Sequence, residues 1–230
     1  MKRTLPTLVI ASALLAAAPL AWAQAVNPAN ASPVKAKVAS SQAPAVAPAG
    51  SPSQLVLANS TRVLSTLESR RPEFTKNRAA LARFVSGEFS QMFDRDYAGR
   101  LVLGTHGRGA SDADVKLFAD ALADNLMQRY GSSLLDFNTR LKVRIKSETP
   151  LRNGAIVKVS SEMLRSGGEP IPVDYLMRKV GPSWKVFDVM VEGVSFVQTF
   201  RTQFDAPLKR KSIAQVAADL KAGNLQASAN

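Results

Sequence analysis

Residues 141–162, LKVRIKSETPLRNGAIVKVSSE, decide the fold class, because within them the spacing of apolar side chains changes. Leu141, Val143 and Ile145 alternate with Lys142, Arg144 and Lys146. After Asn153-Gly154, the residues Val157, Val159 and Ser161 alternate with Lys158, Ser160 and Glu162. A period of two sends the two sets to opposite faces, so both segments read as β-strands with one solvated face. The Asn-Gly pair between them is a hairpin signal.

Toward the C-terminus, Ser-Gly-Gly at 166–168 turns the chain into a third strand over 171–180, and Gly181-Pro182 turns it into a fourth over 184–191. Four strands on short connections predict an antiparallel meander. Helical spacing resumes at Gly193. Phe196, Phe200 and Phe204 stand four apart beside Val197, and Ser212 with Gln215 offers a capping box for Ile213, Val216, Ala217 and Leu220.

Toward the N-terminus the spacing is also three and four. Val56, Val63 and Leu67 share the face of a helix that Arg71-Pro72 is expected to stop, and Leu81, Val85, Phe89 and Met92 mark a second. Residues 97–103 form a short third before Gly104. Val115, Phe118, Leu122, Leu126 and Tyr130 line a long fourth, opened by Ser111 with Asp114 and closed by Gly131. The prediction is an α+β domain over 54–222, with N-terminal helices, a four-stranded antiparallel sheet and C-terminal helices packed on it.

Composition bounds the chemistry. The 230 residues contain no cysteine, which excludes disulfide scaffolds, thiolate metal sites, cysteine nucleophiles and a lipid-modified cysteine anchor. A single histidine, His106, excludes multi-histidine metal centres. It stands in an expected exposed loop, Gly104 to Gly109, where no serine lies in a nucleophile elbow and no P-loop ending follows. The carboxylate pairs Asp94 with Asp96 and Asp112 with Asp114 lack the glycine and distal glutamate of a calcium loop. No metal site and no catalytic residue is therefore assigned. Thirty Lys and Arg against eighteen Asp and Glu give a formal charge of +12, which favours anionic partners; the spread of the cations along the chain and a secreted address argue against nucleic acid.

That address comes from residues 1–23. Lys2 and Arg3 precede a short apolar run ending in Ala21-Trp22-Ala23, the pattern of a secretory signal peptide. Residues 24–53 are rich in Ala, Pro and Ser and read as a disordered arm, and 223–230 as a flexible tail.

The string WKVFDVMVEGVSFV at 184–197, followed by TFRTQF at 199–204, resembles the MlaC family, the toluene-tolerance auxiliary proteins of an ABC transport system. DYAGRLVLG at 96–104 and the helix from Phe118 to Tyr130 are similar to that family in order and spacing, so the likeness spans about 54–220. The loop at Thr105-His106-Gly107-Arg108 departs from the family, and the Ala/Pro-rich arm is additional. The resemblance implies a soluble periplasmic carrier, with no cofactor, that takes phospholipid tails into a cavity between a curved sheet and helices. It would pass lipid between an outer-membrane lipoprotein complex and the periplasmic subunit of an inner-membrane ABC transporter, maintaining outer-membrane lipid asymmetry.

A diacyl lipid exposes about 30 methylenes at about 0.8 kcal/mol each, so its tails resist water by about 25 kcal/mol and a shuttle must hide them. Under this resemblance the expected lining is Val157, Val159, Tyr175, Met177, Phe187, Val189, Phe196 and Phe200. Asp188, Gly193, Ser195, Arg201 and Phe204 match the family motif and are assigned to the shape of the site and the headgroup end. Each also has a structural reading: Gly193 as a strand break, Ser195 as a helix cap, Arg201 as an ion-pair partner of Asp188 or Glu192. The other function class compatible with these residues is a periplasmic adaptor of the transporter that carries no lipid and has a solid core.

Overall fold

A computed structural model of the chain describes residues 50–130, 132–135, 141–166 and 168–228. The expected signal peptide, most of the arm, and the turn glycines Gly131 and Gly167 lie outside the described residues.

Helix α1, Pro52–Ser69, starts where Ser51 Oγ accepts the Gln54 N–H, with Pro52 in the first turn. Pro72 does not end the helical region. It bends it into a second short helix, α2, Arg71–Lys76, because a missing N–H is harmless in a first turn. α3, Arg78–Met92, is capped by Asn77, and α4, Arg95–Leu103, by Asp94, whose carboxylate accepts the Tyr97 N–H at 3.2 Å. α5, Asp112–Tyr130, opens on Ser111 Oγ, which accepts the Asp114 N–H at 3.1 Å.

The sheet comprises β1, Lys142–Leu151, β2, Ile156–Leu164, β3, Ile171–Val180, β4, Ser183–Val191, and β5, Val194–Ser195, in that order and antiparallel throughout. The meander has five strands where four were expected. Glu192 and Gly193 form a two-residue turn in which both φ angles are positive, 50° and 82°, as a type I′ hairpin requires, so Val194 folds back onto Val191 before the next helix. Beside β5, the outer edge of β4 also pairs with the end of α3: the Asp94 N–H donates to the Val186 carbonyl at 2.8 Å. α6, Phe196–Leu208, and α7, Ile213–Ala222, follow, the latter with the expected Ser212/Gln215 capping box.

Three apolar clusters hold these elements. The first joins α4, α5, α6 and α7 and contains Phe118 and Phe204, edge to face at 5.5 Å. The second lies on the sheet under α1, where Val56 meets Val157, Val159, Met177 and Val186. The third joins α1, α2 and α3, with Phe74 stacked on Phe84. Residues 223–228, expected as a flexible tail, are tied to the first cluster. Buried Asn125 donates to the Leu220 and Leu225 carbonyls and accepts the Ala227 N–H, and Ala227 is fully buried.

Candidate functional site

The helical cluster and the sheet cluster do not merge where they meet. A cavity of about 520 Å³ separates them. Its walls are Val85 and Phe89 of α3 with the following Phe93; Ala98, Gly99 and Val102 of α4; Ala119, Leu122, Ala123, Leu126 and Met127 of α5; Phe187 and Val189 of β4; and Phe196, Val197 and Phe200 of α6.

Residue size explains why the space stays open. α4 and α5 touch where Gly99 faces Ala119: a Cβ on Gly99 would lie 2.8 Å from the Ala119 Cβ. That contact holds the two helices together through minimal side chains. Ala98, Ala119 and Ala123 are then too short to reach the aromatic wall opposite, formed by Phe187, Phe196 and Phe200.

The aromatic wall is held from behind. Between Leu176↔Asp188 and Met177↔Val186 the register shifts and leaves Phe187 as the extra residue of a bulge, which re-aims its side chain. Tyr97 meets Phe187 edge on at 5.2 Å. The Arg178 guanidinium lies 4.2 Å from the Tyr97 ring centre and donates to Asp94 at 2.6 Å, so the N-terminus of α4 is fastened to β3. On the α3 side, Phe89 and Phe93 stack at 4.0 Å.

Polar groups are few among the lining. Asp188 is only 6% exposed, and both of its oxygens are engaged: Ser195 Oγ–H donates to Oδ2 at 2.6 Å and the Val197 N–H to Oδ1 at 3.1 Å. Its charge thus faces the N-terminal end of α6, where the helix dipole favours an anion. Arg95 and Asp124 also border the cavity, with Ser86 and Tyr130.

Of the residues expected to line a cavity, Phe187, Val189, Phe196 and Phe200 do so. Val157, Val159 and Met177 lie instead in the second cluster, with Tyr175 packed against it, because α1 covers that part of the sheet. The reason is register. Val157, Met177 and Val186 form one cross-strand row and Val159, Tyr175 and Val189 the next, and Val56 of α1 is buried against them. Burial raises the Tyr175 phenol above its ordinary value, partly offset by hydrogen bonds with Ser60 and Ser161.

The motif residues separate by role. Ser195 caps α6, accepting the Gln198 N–H at 3.0 Å, and Gly193 occupies the β4–β5 turn. Phe204 is fully buried in the first cluster, away from the cavity lining. Arg201 pairs with neither Asp188 nor Glu192. Its guanidinium lies beside Gly104, where a Cβ would come within 2.7 Å of Nε and push that flexible side chain aside; the φ of +55° at Gly104 is what favours glycine there. His106 is not a free loop residue: its Nε2 lies 2.9 Å from an Asp205 oxygen, and it docks the 3₁₀ turn Gly104–Gly107 on α6. The Asp205 carboxyl is held below its ordinary range by Lys209 first and His106 second.

The larger part of the cavity wall, from α3, α4 and α5, was absent from the expected set. The signal available was the run of small residues at helical spacing, Ala98-Gly99 with Ala119 and Ala123, which marks a close helix crossing.

The family model described as MlaC protein matches residues 58–222. The toluene tolerance protein ttg2D of Pseudomonas putida is 24% identical over 163 residues, 70% of this chain and 75% of that protein. The intermembrane phospholipid transport system binding protein MlaC of Haemophilus influenzae is 23% identical over 151 residues, 64% of this chain and 70% of that protein. Among solved structures, the phospholipid-binding protein from Ralstonia solanacearum, in complex with a phospholipid, superposes with a TM-score of 0.65 at 21% identity, covering 74% of this chain and 97% of that one; the likeness establishes the fold.

Proposed function

Because the chain belongs to the MlaC family, we propose that it is a periplasmic phospholipid-binding and transport protein, not an enzyme, which carries acyl chains in the cavity between β4 and α3 to α6. The observation that carries this reading is the cavity. The cavity opens to solvent on one side, and water filling its roughly 520 Å³ keeps these apolar walls hydrated at a cost of about 25 cal/mol per Å² of surface. An apolar occupant removes that cost, and acyl chains have the chemistry of these walls. A lipid-free adaptor needs no such space, so the cavity favours the carrier over it.

In the finer form of the proposal, the protein passes phospholipid between an outer-membrane lipoprotein complex and the periplasmic subunit of an inner-membrane ABC transporter, maintaining lipid asymmetry. The name of the Haemophilus influenzae relative, a binding protein of an intermembrane phospholipid transport system, supports transport as the setting. Native mass spectrometry of the gently purified chain is expected to show bound phospholipid. Protein that carries none and also accepts none from vesicles overturns the reading.

A further inference from the structure

The formal charge of +12 points to anionic ligands, but the described residues at the border of the cavity carry more acid than base. Among the described lining residues the one cation is Arg95, and the carboxylates are Asp124 and Asp188. Resting on the carrier reading above, we propose that this border selects a zwitterionic phospholipid headgroup, with Arg95 taking the phosphate and Asp124 the ammonium.

Arg95 is available for a phosphate. Its side chain is one-third exposed, and its ion pair with Asp120 is long, 3.4 Å, while Lys116 holds the same carboxylate at 2.9 Å. Arg95 can therefore turn to a ligand without leaving Asp120 unpaired. A planar guanidinium also matches phosphate oxygens two at a time.

Asp124 stands one helical turn beyond Asp120 on α5. It is exposed and has no cation within ion-pair distance among the described residues. Side chains four apart on a helix originate about 5–6 Å apart, so Arg95, drawn to Asp120, places its positive charge about one turn from the Asp124 carboxylate. An ethanolamine or choline headgroup carries its own phosphate and ammonium across a two-carbon link, the complementary arrangement. A glycerol headgroup supplies the phosphate alone and leaves Asp124 repelling it. Asp188 does not compete for the ammonium, since both its oxygens are occupied.

The test incubates the full chain with excess vesicles of equimolar phosphatidylethanolamine and phosphatidylglycerol with matched acyl chains, and reads the bound lipid by native mass spectrometry. Both contacts are partly solvated, so the expected enrichment of phosphatidylethanolamine is about threefold. Asp124→Asn is expected to level the ratio and Asp124→Glu to keep it. Arg95→Gln is expected to lower the phospholipid retained about threefold, with thermal melting confirming that each variant is folded. Uptake without preference in the unsubstituted chain, or a ratio unmoved by Asp124→Asn, overturns the headgroup assignment alone. No uptake of either lipid overturns the carrier reading and this inference with it.

Discussion

Ser195 donates its hydroxyl proton to Asp188 over 2.6 Å, and the same carboxylate accepts the Val197 N–H, so one side chain fastens the long strand β4 to the helix behind it. Both residues belong to the cavity's aromatic side, where Phe187 and Val189 flank Asp188 and Phe196 follows Ser195. Ser195→Ala removes a helix cap and is expected to cost about 1 kcal/mol. Asp188→Ala leaves a buried N–H unpaired and is expected to cost about 1–3 kcal/mol. Urea unfolding of both single variants and the double variant checks the coupling; losses that simply add would show that the two residues act independently.

The placement of the sheet residues separates lining from core. Ala123→Phe projects a ring into the cavity and is expected to reduce lipid uptake from vesicles severalfold in folded protein. Met177, fully buried under α1, is expected to lose about 2–5 kcal/mol on conversion to Ala, while the folded fraction still takes up lipid. Equal loss of uptake in both variants would extend the cavity to the middle of the sheet.

Trp184 packs against the second cluster with Lys179 5.5 Å from its ring, and it is not among the cavity residues. Its emission is expected to stay in place when lipid is removed. A Phe89→Trp variant, with the indole at the wall, is expected to shift to the red on delipidation. A shift at Trp184 in protein carrying Trp22→Phe would place it against the ligand.

Two titrations act at opposite ends of the pH scale. Tyr175 has a raised folded value, so its contribution is intact below the ordinary value of 10.0 and is lost as pH rises through the raised one. Tyr175→Phe should therefore flatten the fall of Tm above about pH 10. Asp205 has a lowered folded value, so its contribution is present above the ordinary 3.8 and is lost as pH falls through the lowered one. Asp205→Asn should flatten the acid limb, weakly, because that carboxylate is exposed to solvent. Unchanged limbs in these variants would remove both residues from the pH response.

The local structure was legible wherever a short-range pattern sets it. The period-two segments became strands, the Ser111 and Ser212 caps opened helices, and the phenylalanines four apart lie on α6. These features depend on neighbours within a turn or a hairpin. The motif from Trp184 to Phe204 likewise pointed to the family, through residues that turned out to tie β4 to α6 or to fill the helical core.

Which side of each element meets empty space was set only by the tertiary structure. Alternation identifies an apolar face of β2 and β3, but α1 rather than ligand covers it, because Val56 arrives there from a helix about a hundred residues earlier. The cavity opens where Gly99 meets Ala119 and the Phe187 bulge turns its ring; helical spacing marks the small residues but not which helix they meet, and nothing local marks the bulge. A single chain encodes periodicity directly, whereas a void depends on how the volumes of residues distant in sequence add up once the helices and the sheet have met.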